Sequence, residues 1–375
     1  GDRVGGVPEG LEQVTPVRVG IVGAGNISTQ YLKNLTTYPD VQVVAIGDLD
    51  QERAAAQAEA YGVPTSGGAD AVLANPDVDL VVNLTIPAVH VAVSEQAITA
   101  GKDVWTEKPL GMDRSSARAM LDLASAQGRR VGCAPDTVLG PGFQTALRHI
   151  HAGDIGTPTS GLAIFQTPGP DLWHPSPEFL FARGGGPVLD IGPYYFTALV
   201  LGLGPVTKVI AGGGKARTRR LVHQGPKAGT TFPVEAPTTA NALLFHESGA
   251  TSVAVMSFDS PQVRVAVLEF TGSEAQVIAA DPNRFDGTVT LARAGADPVE
   301  TVIEAEGIGR GIGVVDMVRS AMAGQTSRAS GELAFHVLDV MLAIEESIES
   351  GREVEVSSRP PAIEALPAGW SPLQA

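Results

Sequence analysis

The sequence predicts an α/β chain of two domains, a parallel doubly wound sheet followed by an α+β domain with a mainly antiparallel sheet. From Val17 to Cys133 short apolar runs alternate with helix-period segments, the pattern of parallel strands covered by helices on both faces. After about Pro135 strand-like runs instead follow one another closely, which marks a separate antiparallel unit. The third observation is the turn Gly23-Ala24-Gly25-Asn26-Ile27-Ser28, placed between the first strand-like run and the first helix. The predicted division is 14–138 and 139–358, with terminal extensions 1–13 and 359–375.

In order, Val17–Val22 reads as a strand and Ile27–Leu35 as a helix, Val41–Ile46 as a strand and Gln51–Tyr61 as a helix. Val78–Leu84, Asp103–Thr106 and Arg130–Cys133 read as further strands, with helices at about Val89–Ala100 and Ser115–Gln127 between them. In the second unit a helix near Gly142–His151 leads into Gly/Pro-rich connections. The strand-like runs Val206–Ala211, Ala240–Phe245, Thr251–Phe258, Arg264–Phe270, Gln276–Ala279 and Thr288–Ala292 follow, with a hairpin turn at Gly272-Ser273. Gly331–Ser350 has helical period.

Composition narrows the function. The 375 residues are 43% apolar and 18% charged, the balance of a globular chain. A formal charge of −15 repels phosphate backbones and anionic lipid, so nucleic acid and membranes are poor partners. A helix N-terminus can still hold a small anion. Cys133 is the only cysteine, which rules out an intrachain disulfide. No run approaches the ~18 apolar residues of a membrane span, and Gly1–Pro16 lacks the basic and apolar regions of a signal peptide. The expected location is cytoplasmic.

The glycine turn carries the first functional signal. Gly23 permits the tight turn, Gly25 lets backbone approach a pyrophosphate, and Ser28 is small enough for close helix–strand packing. Following a strand and opening a helix, this is a Rossmann dinucleotide-binding turn, with Asn26 and Ile27 at the phosphate-facing helix start. Asp48 lies just past the second strand, where a carboxylate binds ribose hydroxyls and repels a 2′-phosphate. That favours NAD over NADP. Asp50 fits an exposed loop carboxylate equally well, and Arg53 complicates the choice.

Four motifs then occur in order: the glycine turn, Thr85-Ile86-Pro87 with His90, Gly101–Pro109 ending in Glu107-Lys108-Pro109, and Gly184-Gly185-Gly186-Pro187-Val188-Leu189-Asp190-Ile191-Gly192. From about Val17 to Val356 the chain resembles the glucose–fructose oxidoreductase, inositol dehydrogenase and rhizopine-catabolism (Gfo/Idh/MocA) family. The resemblance implies a Rossmann domain, a second domain with a large open sheet, NAD(P), and sugar-like substrates. It also implies that Lys108 meets both nicotinamide and substrate, that Lys108–Pro109 is a candidate cis bond, and that Thr85, Pro87, His90 and Glu107 lie at the cofactor.

Many members carry a His two residues after the Gly of Asp-x-Gly, as proton shuttle; here that position is Tyr194, similar to the glucose–fructose oxidoreductase and dihydrodiol dehydrogenase branches. Oxidising a secondary alcohol needs a base for the O–H proton while hydride leaves, and an adjacent Lys⁺ stabilises phenolate. Tyr194 is therefore the candidate acid/base, Lys108 polarises the oxygen, and Asp190 orients Lys108 or a substrate hydroxyl. The rival reading makes Tyr194 ordinary packing at a helix start, beside Tyr195 and Phe196.

Trp173 and His174 either hold a sugar ring and its hydroxyls or anchor a loop. Asp136 either binds a hydroxyl or caps the helix after it. Arg183 is a substrate-binding candidate and Arg310 a weaker one, with a salt bridge the default for both. The six histidines other than His174 have no metal-ligand spacing, so no metal is expected. Cys133 reads as a small core residue.

The expectation is an NAD(P)-dependent oxidoreductase acting on a secondary alcohol or ketone of a sugar, cyclitol or derivative. Its second sheet would be buried in a homodimer or homotetramer. Two alternatives remain open: a non-catalytic NAD(P)-binding sensor, and an enzyme that cleaves a glycosidic bond through transient oxidation.

Overall fold

The computed structural model describes residues 15–374; the expected extension 1–13 and the reading of the opening segment lie outside them. The first unit runs β1 (Val17–Val22), α1 (Asn26–Leu35), β2 (Val41–Gly47), α2 (Gln51–Tyr61), β3 (Thr65–Gly67), α3 (Asp70–Leu73) and β4 (Leu80–Asn83). It continues with α4 (His90–Thr99), β5 (Asp103–Thr106), α5 (Arg114–Ala126) and β6 (Val131–Cys133). The six strands are parallel in the order β3-β2-β1-β4-β5-β6. Strand order reverses between β1 and β4, and ligands bind beyond the carboxyl ends of strands at such a point. The short β3 and α3 have no counterpart in the sequence periods, because Thr65-Ser66-Gly67 offers no apolar run.

The second unit opens with α6 (Pro141–His151), β7 (Pro158–Gln166), α7 (Gly186–Asp190), α8 (Gly192–Leu203), β8 (Val206–Gly214), β9 (Arg219–Leu221) and β10 (Thr231–Pro233). β11 (Thr239–His246), β12 (Thr251–Ser257), β13 (Arg264–Gly272), β14 (Gln276–Ile278), β15 (Gly287–Ala292) and β16 (Val299–Ile303) follow, then α9 (Ile312–Met322), α10 (Gly331–Ser350) and β17 (Val354–Glu355). Nine strands form one sheet, β16-β15-β14-β13-β7-β12-β11-β8-β17, antiparallel except for β7 with β12. β7 holds the centre of this sheet although its start, Pro158-Thr159-Ser160-Gly161, reads as a connection.

Burial alternates along β12, where Ser252, Ala254 and Met256 are buried and Val253 is 41% exposed. That is the pattern of a sheet covered on one face. α8 is apolar all round and buried throughout, as a helix sandwiched in a core must be. α6 and α10 pack beside it.

Residues 312–330, assigned by sequence to the second domain, pack on the first. Gly313 leaves room for the Trp105 ring, Arg319 pairs with Asp40 at 2.8 Å, and the Cys133 N–H donates to the Ala329 oxygen at 3.0 Å. Nor does the segment 359–374 hang free. The Leu366 N–H donates to Gln144 Oε1 at 2.7 Å, and the Arg319 guanidinium lies 5.1 Å from the Trp370 ring centre. The chain therefore returns to its first unit after building the second sheet, a long-range pattern that no local periodicity reveals.

Candidate active site

The carboxyl ends of β1, β2, β4 and β5 carry the first half of the site. At the end of β1, Gly23 has φ +107°, and a Cβ there would strike the Leu84 carbonyl, so only glycine fits. Gly25 precedes α1, and a Cβ placed on it meets nothing within 4 Å. α1 has no side-chain cap and no acid in its first turn. The N–H groups at Asn26 and Ile27 thus have no side-chain acceptor, the arrangement that receives a pyrophosphate. These residues fit a dinucleotide.

Asp48 turns inward toward this loop. Its Oδ2 accepts from the Ala24 N–H at 2.6 Å, and its Oδ1 accepts from the Asp50 N–H and from Arg53 Nη2, both at 2.8 Å. Burial pushes its carboxyl up, but those donors outweigh it and hold the acid below the usual range. Asp50 has a different task as the cap of α2, accepting from the Arg53 N–H.

Thr85, Pro87 and His90 form the β4 edge. Asn83 accepts from Thr85 Oγ1 at 2.6 Å, and Pro87 begins a short turn of 3₁₀ helix. His90 is buried, with Nδ1 2.8 Å from the Pro109 oxygen and Nε2 2.9 Å from the Thr85 oxygen. It ties the β4 loop to the β5 loop.

On the β5 loop, Glu107 Oε1 accepts from the Tyr31 hydroxyl at 2.9 Å, and Oε2 accepts from the Lys108 N–H at 3.1 Å. Tyr31 in turn accepts from Trp105 Nε1 at 3.0 Å. The peptides Lys108–Pro109 and Ala134–Pro135 are both cis. Lys108 Nζ crosses to the second unit, donating to the Asp190 carbonyl at 2.5 Å and to Asp190 Oδ1 at 3.2 Å. It also lies 5.3 Å from the Tyr194 ring centre. Burial works against its charge, but Asp190, Tyr194 and Glu107 outweigh that, so Lys108 stays protonated above its ordinary range.

Tyr194 and Tyr195 separate cleanly. The Tyr195 hydroxyl accepts from the Ala266 N–H at 2.9 Å in β13, away from Lys108. The Tyr194 hydroxyl accepts from Arg310 Nη2 at 3.3 Å. Arg310 has no carboxylate partner among the described residues; its Nε donates to Gln30 on α1 at 3.2 Å. Burial opposes its charge, yet Tyr194, Glu107 and Asp136 raise it above the ordinary value. Two cations from distant segments thus converge on one phenol. Sequence reasoning underrated Arg310, and its one local signal is the flanking Gly309 and Gly311.

Asp136 does not cap the helix after it. It is fully buried, and its Oδ2 accepts from the Gly311 and Gly313 N–H groups at 2.7 and 3.1 Å. It therefore caps α9, not the helix that follows it in sequence. Burial pushes its carboxyl up to about 6, with Arg310 and those N–H groups pulling the other way. Cys133 is buried, which pushes its thiol up.

The substrate-side candidates lie at the outer edge. Trp173 is 63% exposed, its ring meets His174 edge-on at 5.6 Å, and His174 meets Phe179 edge-on at 5.5 Å. His174 Nδ1 accepts from the Ser176 N–H at 3.0 Å, which leaves Nε2 as the donor. Arg183 is exposed, and its N–H donates to Glu235 at 3.1 Å. Among the described residues no three His, Cys, Asp or Glu side chains gather as a metal site. No helix among them is long and apolar enough to cross a membrane.

Known proteins match this architecture. The model of an oxidoreductase family with an NAD-binding Rossmann fold matches residues 17–134, and that of the GFO/IDH/MocA C-terminal domain matches residues 143–278. The chain belongs to the Gfo/Idh/MocA oxidoreductase family. Within that family it is 31% identical over 246 residues to the dTDP-3,4-didehydro-2,6-dideoxy-α-D-glucose 3-reductase of Actinomadura kijaniata, covering 60% of this chain and 71% of that one. It is also 31% identical over 161 residues to inositol 2-dehydrogenase 3 of Saccharopolyspora erythraea, covering 42% and 48%. The chain spans about half the length of the first curated relatives it matches. An NAD-binding oxidoreductase from Klebsiella pneumoniae shares the fold with TM-score 0.78 at 24% identity, covering 92% of this chain and 100% of that one. As a Gfo/Idh/MocA member the chain binds NAD through its Rossmann unit.

Proposed function

We propose that this protein is an NAD-dependent dehydrogenase that oxidises a secondary alcohol of a sugar, cyclitol or sugar derivative, or reduces the corresponding ketone. The observation that carries the reading is the meeting of Lys108, Tyr194 and Arg310 across the two units, beside a turn that fits a dinucleotide. Support for sugar-like substrates comes from relatives named as an inositol dehydrogenase and a deoxysugar reductase.

Bound NAD supplies the acceptor for the hydride that leaves the carbinol carbon. The remaining work falls to the chain. Tyr194 takes the hydroxyl proton as the carbon–oxygen double bond forms, and returns it in the reverse direction. Lys108, held protonated, stabilises the negative charge that develops on oxygen. Asp190 fixes Lys108 through two acceptors, and Glu107 fixes the Lys108 backbone. Arg310 supplies the second cation at the phenol.

The test is Tyr194→Phe, assayed for NADH formation over a panel of polyols, glycosides and carbocyclic diols together with NADH binding. Turnover should fall by about 10²- to 10⁴-fold while NADH affinity stays within twofold. Near-normal turnover would assign the proton transfer elsewhere. NADH binding by the native protein, with no alcohol or ketone turned over, would make the chain a sensor.

The exposed face of the large sheet supports a dimer or tetramer. Ile210 and Val253, each paired in register with Leu243, are 43% and 41% exposed there, on β8 and β12. Side chains of this kind on a helix-free sheet face favour burial against a second copy. Sedimentation at micromolar concentration should give at least twice 38.7 kDa. A monomer mass would refute this assembly.

A further inference from the structure

The cleft beside Lys108 and Asp190 is unlike the rest of the site. It has a volume of about 450 Å³ and lies between the β4 and β5 loops of the first unit and the segment 179–190 of the second. Its walls are Ile86, Pro87, Met112, Phe179, Leu180 and Leu189, with backbone of Gly184 and Gly185 between them. Ile86, Met112 and Phe179 are 67%, 39% and 57% exposed. Large apolar side chains left uncovered together mark a surface that binds something.

Polar equipment is sparse. Asp190 stands at the inner end, where it holds Lys108 Nζ, and Arg183 stands at the exposed end. A ligand rich in hydroxyl groups would lose water here and find few partners, which is costly. An apolar ring would lose nothing and would cover the exposed side chains. Asp190 joins the cleft to the catalytic groups, since it lines the wall and accepts from Lys108 Nζ. Gly184 shapes the wall, since a Cβ there would collide with the Met112 methyl group.

We propose that this cleft binds an apolar, ring-sized part of the substrate, joined to the carbinol that reacts at Lys108 and Tyr194. The substrate class is then a secondary alcohol that is polar at one end and apolar at the other, as in an aryl glycoside or a carbocyclic diol, and not a fully hydroxylated polyol. The word substrate rests on the dehydrogenase reading above; the binding claim does not.

Calorimetry on the full chain, with and without saturating NADH, tests it with two matched pairs: phenyl β-D-glucoside against glucose, and trans-cyclohexane-1,2-diol against myo-inositol. The apolar member of each pair should bind about 10- to 100-fold more tightly. Phe179→Ser and Met112→Ser, both at exposed positions outside the catalytic groups, should each reduce that preference at least threefold. They should leave NADH affinity unchanged. Equal affinities within a pair, no binding of either apolar compound, or a preference untouched by both variants would overturn the proposal. So would displacement of the apolar ligands by NADH, since the nicotinamide would then be the cleft's occupant. If NADH fails to bind and nothing turns over, the dehydrogenase reading falls. The paired affinities on the cofactor-free protein still decide the cleft.

Discussion

The two sides of the site are built on opposite principles. On the cofactor side nearly every polar group is engaged: Asp48 by three donors, Glu107 by two, and His90 against a carbonyl at each ring nitrogen. On the substrate side the surface is apolar and open, and its polar support lies behind it. The first arrangement fixes one geometry for one ligand, because each group already has its partner. The second supplies shape and hydrophobic area, which loops vary without disturbing the sheet beneath.

The hidden support on the substrate side is Arg220, and removing it breaks the comparison most severely. Arg220 is 5% exposed; it donates to Asp171 at 2.7 Å and Asp259 at 2.6 Å, and to the Pro168 and Phe258 oxygens at 2.8 and 2.6 Å. Its guanidinium also lies 4.9 Å from the Phe181 ring centre. It therefore holds the strand that follows β8 against the loop that carries Trp173 and His174. Arg220→Met strands Asp171, which is 2% exposed, and should cost about 3–5 kcal/mol of stability. KM should rise more than kcat falls, because the lip loosens while Lys108 and Tyr194 stay in place. Adding Asp171→Leu should recover part of the stability in a denaturant titration. No recovery would mean that the lost hydrogen bonds, not the unpaired charge, set the cost.

On the cofactor side the matching change is Asp48→Asn. It removes the charge that repels a 2′-phosphate and frees Arg53 from its partner. The ratio of kcat/KM for NAD to that for NADP should drop by about 10-fold, or ~1.4 kcal/mol. NAD affinity should also weaken, because the amide cannot accept from both the Ala24 and Asp50 sides. An unchanged cofactor ratio would show that Asp48 acts only as a brace for the glycine turn.

The same contrast explains what was legible in the sequence. The glycine turn, Asp48 and Glu107-Lys108-Pro109 each follow an apolar strand by a fixed step, so strand period alone carries them to one sheet edge. Asp136 shares that placement, but the N–H groups it receives come from Gly311 and Gly313, 175 and 177 residues away. Arg310 was hidden for the same reason. Its segment returns from the second unit to the first, and an isolated Arg between glycines has no period to announce it. The apolar cleft was invisible because Ile86, Met112 and Phe179 lie in three separate loops, where single hydrophobic residues carry no pattern.

The smallest expected effect sharpens the comparison from below, at Glu345 under the substrate-side lip. α10 packs against α7 and α8, and burial there pushes the Glu345 carboxyl up to about 7, with Arg183 pulling weakly the other way. Between the ordinary glutamate value and about 7 the folded chain holds a proton that the unfolded chain has lost. The stability this proton contributes is complete below about 4.5 and disappears as pH rises through 7. Glu345→Gln removes that slope. The variant should match the native chain near pH 5 and exceed it at pH 8 by about 1 kcal/mol, or ~1–3 °C in Tm by calorimetry. The cofactor side offers no equivalent gain at Asp48, whose donors already hold it below the usual carboxylate range. A Tm difference between Glu345→Gln and the native chain that does not change with pH would show that this carboxylate is solvated, and that the substrate-side lip is looser than its packing implies.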